Sequence, residues 1–304
     1  MNINKLGFIL SNLSISATLV PAAVYSDGYN PYYEEDAQKE SEWDDSRLMS
    51  QNNQNHYSPS SNGQQSQQEE MKAEEYHNRF QVGGNYTRAY IKPHGSKTFE
   101  GNLGGLQAMY EYRPMDRFYG AAKLVWKEGK ANGASAHRSL TYVDVQERLG
   151  YTFAFEEGDW LLSLYTGFGY RYLGQKLTQS NAQHVHFRYH EFYLPVGFEV
   201  DNAYNSWFTW GIGFTWMPQV DSTAAIVPLK GSRWHLTDQL ANFYLEFPLD
   251  FTVSDNQRFH IIFKPFYEHW QDGHSTAKVN GMSLGLPGND YNFFGADLNF
   301  AYFF

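Results

Sequence analysis

The sequence predicts an all-β protein, an up-and-down antiparallel transmembrane β-barrel of about ten strands (eight to twelve) behind a disordered N-terminal segment. Three features predict it. The chain opens on an export leader, it then carries a succession of segments with apolar side chains at every second position, and the linkers between those segments alternate in length.

Lys5 supplies a positive start, Leu6 to Val20 form a largely apolar stretch, and the small residues of Pro21-Ala22-Ala23 follow. That is the layout of a secretory signal peptide. Residues 1–22 are therefore read as a signal peptide, with cleavage expected after Ala22 or after Ser26. An uncleaved anchor is the alternative, but the stretch is short and carries Ser11, Asn12, Ser14 and Ser16. From residue 27 to 78 the composition turns to Gln, Asn, Ser and acidic residues, as in Gln51-Asn52-Asn53-Gln54-Asn55 and Gln64-Gln65-Ser66-Gln67-Gln68-Glu69-Glu70. Such a segment has too little apolar surface to offset the entropy of ordering it. It is expected to be a disordered acidic tether in the periplasm, with a helical turn around Glu70 to Tyr76; a plug inside the barrel is the rival reading.

Residues 79–304 are expected to form the barrel. Phe118, Gly120, Ala122, Leu124 and Trp126 occupy alternate positions, as do Trp160, Leu162, Leu164, Thr166, Phe168 and Tyr170, and Phe208, Trp210, Ile212, Phe214 and Trp216. Two further runs follow the same rule, Phe243 to Phe251 and Phe294 to Phe304. This is the strand period. The uncharged stretch from Asn202 to Val220 is long enough for a membrane helix, but Thr209, Gly211, Gly213 and Thr215 alternate with aromatics, which favours a strand with one greasy face. Segments begin near Arg79, Asn102, Arg117, Ser139, Asp159, His186, Ser206, Leu240, Arg258 and Tyr291. Short linkers lie at Arg113 to Asp116, Glu156 to Gly158, Asp201 to Asn205 and Ser254 to Gln257. Longer ones lie at Lys92 to Gly101, Glu128 to Arg138, Gly174 to Val185, Pro218 to Gln239 and Gln271 to Asp290. Tight turns at one end and long loops at the other are what an even-stranded membrane barrel requires.

Alternation alone also fits a soluble sandwich. The two faces differ, however: one is aromatic and aliphatic, while the other collects Gln81, Asn85, Thr87, Gln107, His260 and Asn299 together with many charges. The apolar face is expected toward lipid and the polar face toward a lumen. Trp126, Tyr170, Tyr172, Trp216 and Trp270 are expected at the outer membrane boundary; Phe118, Tyr151, Phe153, Trp160, Trp207, Phe251 and Phe259 at the inner one. Glu147 falls on the lipid face unless a bulge near Gln146 turns it, and Pro195 and Pro265 are expected to mark local bulges.

The chain ends Leu298-Asn299-Phe300-Ala301-Tyr302-Phe303-Phe304, with apolar residues at alternate positions counted back from the terminal Phe. This resembles the C-terminal assembly signal of Gram-negative outer-membrane β-barrel proteins. The resemblance covers the leader, the segment from about Arg79 onward and the terminal motif. It implies that Leu298, Phe300, Tyr302 and Phe304 are read by the barrel-assembly machinery and that the partners of the folded chain are outer-membrane lipid and lipopolysaccharide. It identifies a superfamily and no subfamily.

The 304 residues contain no Cys, which excludes disulfides and thiolate metal sites, and a net charge of −10 argues against nucleic acid as a partner. Glu111, Lys123, Asp144, Arg148, Arg171, Glu191, Glu246, Lys264, Glu268 and Asp297 are expected to form a charge network filling the lumen. Both signs are present, and barrels of this size lie near the closed end of the range. Gly83, Gly105, Gly167, Gly169, Gly197, Gly211 and Gly213 share that face and keep a small-solute channel as the alternative. Histidines gather toward the long linkers: His94, His137, His184, His186, His190, His235, His269 and His274. His184 and His186 are two apart and share one strand face, a spacing compatible with a metal ligand pair, but no firm carboxylate or third ligand accompanies them. Asp272-Gly273-His274 resembles the Asp/His pair that omptin-type surface proteases place near the external rim, but no Asp-x-Asp pair accompanies it here. No cofactor is implied. The sequence thus predicts a non-enzymatic outer-membrane barrel with a structural or surface-interaction role.

Overall fold

The computed structural model describes residues 77–133, 136–155, 159–179, 184–227, 232–237, 239–279 and 282–304. The leader, residues 27–76 of the expected tether and the expected turn at 156–158 lie outside them. Among the described residues no helix is long and apolar enough to cross a membrane.

The first five strands are unbroken: β1 (Asn78–Pro93), β2 (Phe99–Tyr112), β3 (Arg117–Asn132), β4 (Ala136–Phe155) and β5 (Trp160–Gln179). The next three staves are built in pieces. They are β6 (His184–Tyr193) with β7 (Val196–Asn205), β8 (Phe208–Trp216) with β9 (Gln219–Val227), and β10 (Arg233–His235) with β11 (Phe243–Glu246) and β12 (Leu249–Thr252). Then come β13 (Phe259–Asp272), a separate hairpin of β14 (Ser275–Val279) and β15 (Met282–Leu286), and the last stave, β16 (Asn289–Phe303). Every pairing is antiparallel, and β16 pairs with β1 from Arg79↔Phe303 to Pro93↔Asn289, closing a ten-stave barrel. Both chain ends of the barrel meet at the short-turn end, where the Asn78 amide donates to the Phe304 carbonyl at 3.2 Å.

Proline explains the broken staves. Pro195, Pro218 and Pro248 each stand in a gap, because an imino nitrogen cannot donate to a ladder. The first two gaps face each other, with the Leu194 amide donating to the Pro218 carbonyl at 3.1 Å, and the register shifts beside them at Phe192/Tyr193. Pro265 is different: β13 runs through it without a bulge, and its carbonyl accepts from Phe247 at the gap in the neighbouring stave.

The faces divide as alternation requires. Phe80, Val82, Leu106, Phe118, Leu149, Leu164, Phe168, Leu298 and Phe300 are exposed on the outside, while Gln81, Asn85, Thr87, Gln107 and Asn299 are buried within. A soluble sheet would bury the first set and expose the second. Trp270 corrects one expectation, because it is fully buried inside instead of standing in the outer girdle. It shares the parity of Lys264 and Glu268, so the same alternation that puts those inside puts it there.

Several expected loops are also strand. β3 and β4 run to Asn132 and from Ala136, β9 continues the wall beyond Pro218, and β14 and β15 form a hairpin inside the linker taken to span Gln271 to Asp290. The wall therefore rises well beyond the aromatic boundary at the long-loop end. Glu147 faces outward with β4 in unbroken register against both neighbours, so no bulge removes it from the apolar band between Tyr151 and Val143. Replacing it by a lipid-compatible side chain, Glu147→Leu, is expected to stabilise the barrel by about 1–2 kcal/mol in urea unfolding from lipid vesicles. An unchanged midpoint would place this position in the polar interface instead.

Candidate functional site

Among the described residues buried polar chemistry is concentrated in the interior, where it is arranged in tiers along the axis. At the short-turn end Arg79 pairs with Glu111, and Arg113 pairs with Asp201 and reaches Glu199 at 3.5 Å. Asp250 accepts from the His260 ring at 2.7 Å and lies 3.9 Å from Arg79. In the middle tier Lys264 bridges Glu246 at 2.9 Å and Asp297 at 3.8 Å, while Asn85 donates to Asp297. Arg148 lies over the Tyr165 ring at 4.6 Å and Lys123 over Tyr244 at 4.4 Å. Cation–aromatic contacts of this kind gain strength where water is excluded.

The third tier is organised by Arg171. Its guanidinium donates to Glu268 at 2.8 Å and lies within 3.4 Å of Asp144 and 3.7 Å of Glu191. It also stacks against Trp270 at 4.6 Å. Tyr142 donates to Glu268 and Tyr193 to Asp144, each at 2.9 Å, so the acidic partners are held by phenols as well as by the cation. The ten charged side chains named from the sequence are all buried here. Those that alternation left unassigned are Arg79, Arg113, Lys127, Glu199, Asp201 and Asp250. Arg113 and Asp201 lie in segments expected as turns, while Lys127 and Glu199 share the parity of Lys123 and Gly197 and are legible on that ground.

Above this tier the inward face changes character. Ile91, Leu103, Leu140, Leu173, Tyr189, Trp234, Trp270, Tyr291 and Phe293 pack together with little or no exposure. Leu284, Leu286 and Ala277 of the β14–β15 hairpin join them from the long-loop side, and the Trp234 indole donates to the Leu284 carbonyl at 3.0 Å. The polar inward positions expected along these strands do not foretell this apolar tier.

The glycines that left room for a solute path do not form one. Gly169 gives its space to the Tyr193 ring and Gly197 to the Tyr165 hydroxyl, so a Cβ at either position would collide with a neighbouring side chain. A void beside Lys123 and Arg171 and another beside Arg79 and Met109 measure about 20 Å³ each. Each holds about one water.

The other candidates are not assembled into chemistry. Asp272 is buried and accepts from Tyr291 at 2.7 Å, whereas His274 is exposed and its ring is not among the partners of that carboxylate. His186 faces outward, the side chain of His184 lies outside the described residues, and no group of three or more metal-binding side chains converges among the described residues. Leu298, Phe300 and Phe304 are exposed on the outer face of the closing stave, and Tyr302 is partly exposed there.

Comparison with solved structures returns barrels. The outer membrane protease OmpT from Escherichia coli superimposes with a TM-score of 0.51 at 10% identity, over 75% of this chain and 96% of that one. The toluene transporter TodX of Pseudomonas putida gives 0.40 at 10% identity, over 74% and 89%, and Ail, the attachment invasion locus protein of Yersinia pestis, 0.31 at 12%, over 73% and 98%. At these identities the first shows the fold alone. No curated protein matches the sequence. A family model described as the outer membrane protein beta-barrel domain matches residues 63–229, more than half of the chain, and the chain belongs to that family.

Proposed function

We propose that this protein is a non-enzymatic outer-membrane barrel with a sealed lumen, serving a structural or surface-interaction role. The observation that carries this reading is the apolar tier beneath the β14–β15 hairpin. A conducting path would have to cross it, and its Leu, Ile and aromatic side chains are packed with little or no exposure. The polar groups among them are already engaged: Gln175 donates to the Tyr291 hydroxyl at 2.6 Å, and Tyr291 donates to Asp272 at 2.7 Å. A permeating ion or sugar would lose its water there with little to replace it. Below it Arg171 is paired with Glu268 and Lys264 with Glu246, which occupies groups that a solute would need.

The long-loop end would face the exterior and the short-turn end the periplasm, the usual orientation of such barrels. The exported chain would then carry its N-terminal segment as a periplasmic tether. Outer-membrane lipid and lipopolysaccharide would surround the wall. During biogenesis the barrel-assembly machinery would engage the outward row Leu298, Phe300, Tyr302 and Phe304, whose exposure on the closing stave leaves it open to contact.

Liposomes reconstituted with the purified protein are expected to swell in arabinose, glucose or raffinose no faster than protein-free liposomes. Size-dependent swelling would replace this reading with that of a small-solute channel. The charge tiers make a second expectation. Arg171→Leu strips one cation from three buried carboxylates, and should destabilise the barrel by about 3–5 kcal/mol in urea unfolding, the cost of orphaning buried charge. A midpoint equal to that of the unaltered protein would mean that the network is solvated and the lumen wet.

A further inference from the structure

The outer wall carries a groove of about 600 Å³ near the long-loop end, across β5, β6, β9 and β10. It has a structural origin: the gaps at Pro195 and Pro218 and the register shift at Phe192/Tyr193 interrupt the wall immediately below it. The cross-strand rows define its surface. One outward row reads Gly174, Arg188, Ala225, Arg233, and the row beneath it Tyr172, His190, Thr223, His235. Two arginines thus flank a small alanine, at about twice the interstrand spacing, roughly 10 Å apart. Lys176 and His186 stand one row further out.

The lower end of the groove is aromatic. Phe192 packs against Tyr170 at 5.1 Å and Phe168 at 5.6 Å, and the Tyr170 hydroxyl is tied to His190 at 2.7 Å. Asp221 is the one carboxylate among the described residues lining it. Neither Arg188 nor Arg233 is ion-paired among the described residues, whereas Arg88 on another part of the wall is matched with Glu100 at 3.0 Å. The groove therefore has Arg233 in its upper lining with Arg188 in the same cross-strand row, and aromatic rings below. It opens sideways from the wall beside Tyr170 and Tyr172, the level of the outer aromatic boundary, where lipid headgroups and acyl chains meet.

We propose that this groove binds a phosphorylated glycolipid of the outer leaflet, with a phosphate between Arg188 and Arg233 and an acyl chain along Phe192 and Tyr170. A phosphate oxygen presents the acceptors that guanidinium donors match, and each basic side chain near an anionic lipid surface adds to the attraction. The assignment rests on the reading that the long-loop end is external.

The test uses the full chain in phosphatidylcholine nanodiscs, titrated with bis-phosphorylated lipid A and followed by native mass spectrometry. Lipid A is expected to bind at least tenfold more tightly than its dephosphorylated form. Arg188→Gln with Arg233→Gln should abolish that preference, and Ala225→Phe, which fills the floor and leaves every charge in place, should weaken binding comparably. Arg88→Gln with Lys92→Gln should change nothing. Equal binding by the groove variants and the unaltered protein would overturn the proposal, as would displacement of lipid A by an equal concentration of inorganic phosphate, which would make this a free-anion site. Absence of any preference for lipid A in the unaltered protein, in a barrel that still fails to conduct, would sink the groove alone, whereas conductance would sink the sealed lumen and leave the groove standing.

Discussion

The pairing of β1 with β16 is the constraint on which the rest of the molecule depends. Hydrocarbon offers no water to an open strand edge, and each orphaned backbone group there costs several kcal/mol. A sheet that closes escapes this cost, and here the two terminal strands close it in unbroken register over the full length of both. Closure then forces the two faces apart. Every second side chain must satisfy lipid, and the remainder must fill a cylinder whose width is set by ten staves.

The interior fills that cylinder by two physical means. In the lower tiers long charged side chains interdigitate, and pairs such as Lys264 with Glu246 and Arg171 with Glu268 remove one another's need for water. Buried pairs of this kind contribute little net stability, but removing one partner is costly, so they fix the arrangement more than they strengthen it. In the upper tier the wall has risen beyond the aromatic boundary, and the inside becomes a largely hydrophobic core beneath a hairpin, with Gln175 and Asp272 bound to the Tyr291 hydroxyl. The transition falls near Arg171, which touches Glu268 on one side and Trp270 on the other.

Much of this is legible in the sequence, because a period of two is hard to mistake once it recurs around a whole barrel. Strand number, the sidedness of Phe118 or Leu298, and the inward placement of charges follow from it. Where the structure departs from expectation, parity and not residue type decides the placement. Trp270 looks like a girdle residue, yet it lies two positions from Glu268 and must point the same way. The apolar tier is hidden for a similar reason, since Tyr291 and Phe293 occupy the polar parity of a strand whose lower half is plainly amphipathic. The hairpin had a clear signal, Asn280-Gly281 between two alternating runs, which is the strongest short-range turn signature. The breaks at Pro218 and Pro248 were equally visible, but a proline in a strand can end it, interrupt it or, as at Pro265, be passed through. Which of these occurs is decided by whether the neighbouring strand needs the missing amide, and that is a tertiary fact.

The orientation of the two faces can be measured directly, because a chain without cysteine accepts single labels cleanly. Nitroxides attached at Leu149→Cys and at Gln107→Cys, in protein reconstituted into bilayers, report collisions with dissolved oxygen and with a water-soluble nickel chelate. The outward Leu149 label should collide with oxygen and be shielded from nickel, while the inward Gln107 label should meet neither. Nickel access at Leu149, or free collision of either reagent at Gln107, would contradict a lipid-facing wall around a filled interior.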